Sequence, residues 1–386
     1  MNPRYRLGDP VVRYVRYGML ALCCVLALAS YGAAADTGAK WEKTLAAARA
    51  EGQVNIYGGD EITHHEILGV FQKRYPKIKV VSVSGHSELI QRIIAERRAR
   101  KYLVDLFSYG PNALRTAYIL NFLEPIKPML MLPEVTDQSL WYKGQHSYRD
   151  PDAKYIFLYE GTPGTASMAY NTKLLTSLKG IDSFWDILDP KWKGKLGFFS
   201  YGRGGSVPTP MLTLYYNPEV GPKFLERLFT EMDLTISRDR RQATNWLARG
   251  KYPLCFMCRD VEKAAKQGLP VKTYPAENIK EAGAMGSGNS SVLAHLKGAP
   301  HPNAAAVFAN WFLSREGQST WQRVMNQVVV EPSNSMRTDI SKNDVLTDGK
   351  RVEGRNYPML GFLDPRPVSK FYWKLVKEAT KRQTDK

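Results

Sequence analysis

From residue 53 onward the chain alternates short apolar runs with amphipathic stretches, and two periods of hydrophobicity predict its elements. Gln53-Val54-Asn55-Ile56-Tyr57, ended by Gly58-Gly59, reads as a short buried strand. Ile67, Val70 and Phe71 then recur at helical spacing. Thr63 and Glu66 stand three residues apart as a capping box ahead of them, and Pro76 closes the helix. Ile78 to Val83 is the next strand. Leu89, Ile90, Ile93 and Ile94 share one face of a second helix, whose basic last turn, Arg97 to Lys101, suits the negative end of the helix dipole. Val104 to Phe107 gives a third strand. This strand–helix alternation predicts an α/β unit on a parallel sheet.

Periodicity fades between Pro125 and Pro151, a stretch rich in Pro, Lys and Tyr, where we place a crossing between two lobes. Strands are expected again at Tyr155 to Tyr159, Ala166 to Tyr170, Leu196 to Phe199 and Leu254 to Met257. A short helix over Phe184 to Leu188 stops at Asp189-Pro190, and helical patterns recur at Pro222 to Thr230 and Arg241 to Ala248. A third α/β block runs from Glu281 to Met325, with a helix over Pro302 to Leu313. The tail from Asp344 to Lys386 is expected to be partly helical and packed on the rest.

Length agrees with two lobes, since 386 residues exceed what one compact core usually organises. The N-terminus is read separately. Arg4, Arg6, Arg13 and Arg16 precede an apolar run from Met19 to Ala29, and Ala33-Ala34-Ala35 then leads to Asp36. That order is a secretory signal peptide over residues 1–35, with an apolar run too short for a membrane span. Its removal takes four arginines and Asp9 from a formal charge of +17, leaving +14. In an exported protein such a charge fits anionic ligands or a solvated basic surface, and no nucleic-acid motif accompanies it.

Cys255 and Cys258 remain after the signal, in a spacing that allows a local disulfide in an oxidising compartment or a pair of buried thiols. Enzyme signatures are missing: no G-x-S-x-G elbow, H-E-x-x-H pair or phosphate-binding loop occurs, and Gly283 to Gly288 does not match a dinucleotide fingerprint.

The sequence resembles the iron-type bacterial solute-binding proteins of ABC importers (extracellular solute-binding protein family 1 and relatives). The resemblance runs through Val54-Asn55-Ile56-Tyr57, Glu88-Leu89-Ile90-Gln91-Arg92-Ile93, Val104-Asp105-Leu106-Phe107 and Met168-Ala169-Tyr170-Asn171-Thr172. It continues in Phe184-Trp185-Asp186-Ile187-Leu188-Asp189-Pro190-Lys191-Trp192-Lys193-Gly194-Lys195 and the stretch from Asn303 to Gln318. It implies an α/β, two-lobed periplasmic binding protein of type 2, with ligand in the cleft between lobes. One lobe would take residues 36–128 and 278–327, the other 129–277 and 328–386.

Ligands of such sheets lie off the carboxyl ends of strands. The candidate ligand-binding residues are therefore Gly59, Asp60 and Glu61 after the first strand, Ser87 after the second, and Ser108 and Tyr109 after the third. In the other lobe they are Arg203, Gly204, Gly205 and Ser206; the resemblance adds Arg238, at another cleft position of the family, and Arg259 and Asp260, where its metal ligands would sit. Glycines there let backbone N–H groups approach an anion, and arginine forks suit carboxylate or phosphate. Asp60, Glu61 and Asp260 would suit an amine, so a ligand carrying both charges satisfies both sets.

Ferric members of the resembled family hold iron with an adjacent tyrosine pair, which aligns here with Asp260-Val261. Tyr215-Tyr216 falls in a helical stretch and reads as packing. His64 and His65, as helix neighbours, diverge by roughly 100°. The expectation is thus an exported, monomeric binding protein in the periplasm, capturing an anionic or zwitterionic organic solute for an importer permease. It would use no cofactor, metal, nucleic-acid partner or catalysis. The alternatives are a ferric-iron receptor, a ligand-sensing receptor for a membrane signalling partner, and an enzyme on this fold.

Overall fold

The computed structural model describes residues 37–85, 88–163, 168–200, 207–274, 278–281, 291–355, 357 and 363–384. Its strands, in chain order, are β1 (Gln53–Gly58), β2 (Lys79–Ser84), β3 (Leu106–Tyr109), β4 (Leu123–Glu124), β5 (Ile156–Leu158) and β6 (Met168–Asn171). There follow β7 (Leu196–Phe199), β8 (Thr235–Ser237), β9 (Leu254–Phe256), β10 (Val271–Tyr274) and β11 (Val292–Leu296). They form two sheets. The first has the order β2-β1-β3-β11-β4, with β5 also on β11, and the second β10-β6-β9-β7-β8.

As the alternation predicts, β1 runs parallel to β2 and β3. The returning β11 is antiparallel to β3. Gly58 lets β1 lie close to β3, because a Cβ there would run into the Ser108 carbonyl oxygen. Each sheet has its own core. Ile56, Phe107, Phe157, Leu293, Phe308 and Trp321 fill the first, and Phe184, Phe198, Phe224, Phe256 and Tyr372 the second. The helix Pro302–Leu313, apolar all round, is buried from Ala304 to Leu313. The helix Gly221–Glu231 is amphipathic instead and buries Phe224, Leu225, Leu228 and Phe229.

The expected crossing near residue 129 lies elsewhere. Val135, Trp141 and Phe157 sit in the first core, and β5 pairs with β11. Periodicity fades there because short helical turns and isolated bridges, Trp141 to Arg337 and Tyr148 to Phe157, hold the segment. The chain leaves the first core after Tyr159, returns between Ile279 and Val292, and leaves again beyond Tyr357. Residues up to 357 therefore reach the first core rather than ending there at 327. The last helix, Pro365–Thr384, docks on the second core through Val368, Tyr372 and Val376.

Two local expectations also change. A single helical turn, Asp60–Thr63, follows β1, and the helix that carries Ile67, Val70 and Phe71 starts at His65, capped by His64, whose Nδ1 accepts from the Glu66 N–H at 3.3 Å. Thr63 instead donates its hydroxyl to the Gly59 carbonyl at 2.9 Å. Because His64 precedes the helix, its ring lies 4.5 Å from that of His65 rather than diverging from it. Cys255 and Cys258 form a disulfide. The signal segment lies outside the described residues, and no described helix is long and apolar enough to cross a membrane.

Candidate functional site

Two strand ends of the second sheet aim at the gap between the cores. β9 ends in the Cys255–Cys258 disulfide turn, where Met257 and then Asp260 take positive φ, and Asp260 leads into the helix Val261–Lys266. β8 ends at Ser237, and the Asp239 carboxylate accepts from the Gln242 N–H at 2.6 Å, capping the helix Arg240–Ala248. Arg259 and Arg240 thus follow the ends of β9 and β8, the two strands that flank β7, where ligands of open α/β sheets bind. Opposite them lie the crossing residue Thr162 and the return segment carrying Glu331. Together they line a cleft that opens to solvent.

Both arginines reach across it. Arg259 Nη2 lies 2.7 Å from Glu331 Oε1, and Arg240 Nη2 lies 3.9 Å from Glu331 Oε2 while also bonding Asp260. Glu331 is tied to the first core, its N–H donating to the Met325 carbonyl at 2.9 Å. With Arg259 23% and Glu331 36% exposed, this pair contributes no more than about 1 kcal/mol. Two guanidinium forks are thereby held in the cleft by a carboxylate that another anion can replace.

The first-lobe loops present acids instead. The Glu61 carboxyl folds over Gly59 and accepts from the Gly59 and Glu61 N–H groups. Burial nevertheless pushes it up to about 8, with the charge of Glu160 adding to the shift. Glu160, 3% exposed, accepts from the Thr162 hydroxyl and the Ser291 N–H, both at 2.8 Å. Burial raises it to about 7 despite those bonds. Ser108 Oγ lies 3.0 Å from the Tyr159 hydroxyl, and burial followed by the charges of Glu61 and Glu88 lifts Tyr109 to about 12.

Of the residues expected from sequence, Arg259 and Asp260 line the cleft. Gly59, Glu61, Ser108 and Tyr109 belong to the acidic cluster that meets the cleft through Glu160 and Thr162. Asp60 is exposed and accepts from the Ser84 hydroxyl at 3.1 Å. Arg238 is exposed and off the cleft lining. Ser87, Arg203, Gly204, Gly205 and Ser206 lie outside the described residues.

Arg240, Glu331, Asp348 and Glu160 were not expected. Arg240 belongs to the run Arg238-Asp239-Arg240-Arg241, and only the capping role of Asp239 tells which of its arginines faces the cleft. Tyr215 and Tyr216 are packing residues: the Tyr215 ring lies 5.5 Å from that of Phe371, and the Tyr216 hydroxyl donates to the Asp364 carbonyl at 2.9 Å. Among the described residues no group of three His, Cys, Asp or Glu side chains is arranged to hold a metal.

A model of a family described as bacterial extracellular solute-binding protein matches residues 67–343. No curated protein matches the chain in sequence. Among solved structures, the ferric iron-binding protein A of Mannheimia haemolytica in an open conformation aligns with a TM-score of 0.59 at 15% identity, over 85% of this chain and 98% of that one. Iron-bound HitA from Pseudomonas aeruginosa gives 0.55 at 18%, over 85% and 99%. AfuA from Actinobacillus pleuropneumoniae with fructose-6-phosphate bound gives 0.52 at 19%, over 85% and 98%. At these identities the likeness is one of fold.

Proposed function

As the chain belongs to the bacterial extracellular solute-binding proteins, we propose that it captures a small anionic or zwitterionic organic solute in this cleft, by closure of its lobes, and delivers it to the membrane permease of an ABC importer. The observation that carries the reading is the pair of guanidinium groups, Arg240 and Arg259, converging on one partly exposed carboxylate at the strand ends. Arginine forks recognise carboxylate and phosphate in two-point geometry, and they repel a metal cation. The incoming anion takes the place of Glu331. Arg203 and the glycines Gly204 and Gly205, with Ser206, extend the anion site in this proposal, and the Glu61–Ser108 group forms the opposite wall.

HitA and the Mannheimia protein are iron-binding by name, whereas AfuA holds a sugar phosphate. The arginine pair and the replacement of the tyrosine pair by Asp260-Val261 favour the organic anion over iron. In this proposal the N-terminal segment acts as an export signal, and the protein works in the periplasm as a monomer that returns its solute unchanged.

A thermal-shift screen of carboxylates, phosphates, amino acids, amines and ferric ion tests this. Organic anions or zwitterions are expected to raise the melting temperature by an amount that grows with the logarithm of concentration. Mass spectrometry should recover the stabilising solute chemically intact. Stabilisation by ferric ion alone, or conversion of the solute, overturns the reading.

A further inference from the structure

Besides its arginines the cleft presents buried polar atoms with nothing to bond. Asp348, on the turn Thr347–Gly349, and Thr273, on β10 and 3% exposed, both line it. Among the described residues neither Asp348 Oδ1 nor Thr273 Oγ1 has a hydrogen-bond partner. Near the same turn Asn334 donates its amide to the Gly349 carbonyl at 2.9 Å, and its own Oδ1 is also left without a partner. Buried polar atoms are almost always bonded, so acceptors aimed into a cleft call for a donor from outside the chain.

The charges around Asp348 say which kind of donor. Burial raises its carboxyl to about 7, the Glu262 carboxylate raises it further, and Arg259 acts against both. Once an anion engages Arg259, the charge left acting on Asp348 is that of Glu262, and these two acids together favour a cation over a neutral hydroxyl. We propose that Asp348 and Thr273 form a subsite for the ammonium group of a zwitterionic solute whose anionic end is held by Arg240 and Arg259. This rests on the anion-binding reading above and narrows its ligand to an amino-acid-like class.

Calorimetry with α- and ω-amino acids, each beside its deaminated acid, tests the subsite on the full-length protein and on the variants Asp348→Asn, Thr273→Val and Arg259→Ala. At least one amino acid is expected to bind wild-type protein about ten-fold more tightly than its deaminated acid, one good charge-assisted bond. Asp348→Asn should bring that ratio near one, while its melting temperature stays at or above wild type because a buried acid has been neutralised. Titrations near pH 7 in buffers of different ionisation enthalpy should show proton release, since an ammonium beside Asp348 favours its ionised form. If the amine advantage survives in Asp348→Asn, the subsite is wrong. Equal binding of both compound classes, weakened alike by Arg259→Ala, removes the subsite and leaves the anion site standing. If neither class binds, both ideas fall.

Discussion

An Arg240→Ala, Arg259→Ala double variant is expected to lose more than about a hundred-fold in affinity for the anionic solute, from roughly 1–3 kcal/mol per charge-assisted bond removed. Its folding should change little. Arg240 and Arg259 are 45% and 23% exposed, and the carboxylates they leave behind, Glu331 and Asp260, are 36% and 28% exposed and can be hydrated. Glu331→Gln should act in the opposite direction. It removes the carboxylate that competes for the same forks, and affinity should rise by several-fold at most, because exposed ion pairs are worth no more than about 1 kcal/mol. Isothermal titration reads both. Unchanged affinity in the double variant contradicts the anion site, and weaker binding in Glu331→Gln contradicts the competition.

The largest effect on stability is expected at Arg337. Its side chain is fully buried, with Nε and Nη2 each 2.8 Å from the Asp339 carboxylate. Nη1 donates to the Glu134 and Leu313 carbonyls at 2.9 and 3.0 Å, and the guanidinium lies 5.4 Å from the centre of the Trp141 ring. Removing one partner of a buried pair leaves the others unsatisfied, so Arg337→Ala should destabilise by about 3–5 kcal/mol. Arg337→Lys should restore little of this, since an ammonium cannot reproduce the fork. Denaturant unfolding measures both, and a loss below about 1 kcal/mol would show that the network is not what holds this segment. The segment matters to function because it continues the irregular return segment that carries Glu331 into the cleft.

How far the sequence revealed the molecule follows from which forces act locally. β1, β2, β7 and β9 stand where apolar runs predict them, and the helices Glu88–Arg98, Gly221–Glu231 and Pro302–Leu313 where helical spacing does. Those signals depend on burying one face or both. The segment 125–151 carries no such signal. It is fixed by long-range bonds, as where Asn310 Oδ1 accepts from the Met131 and Leu132 N–H groups at 2.7 and 2.9 Å. The crossing was therefore read some thirty residues early. Arg259 and Asp260 are legible through the family resemblance, which sets them where the metal ligands of ferric members lie. Glu331 and Asp348 lie in an aperiodic return segment, and their place in the cleft depends on tertiary packing that no local period encodes. Glu160 is similar: nothing beside it in sequence announces that Thr162 and Ser291 will bond it in a buried position.

The central claim is a cleft whose two walls close on a small solute and whose arginines hold its anionic end. Small-angle scattering, with and without the solute that stabilises the protein most, tests it directly. A smaller radius of gyration is expected at saturating solute in the wild-type protein, and no such contraction in the Arg240→Ala, Arg259→Ala variant at the same concentration. Identical profiles for wild type with and without a solute shown to bind would contradict it.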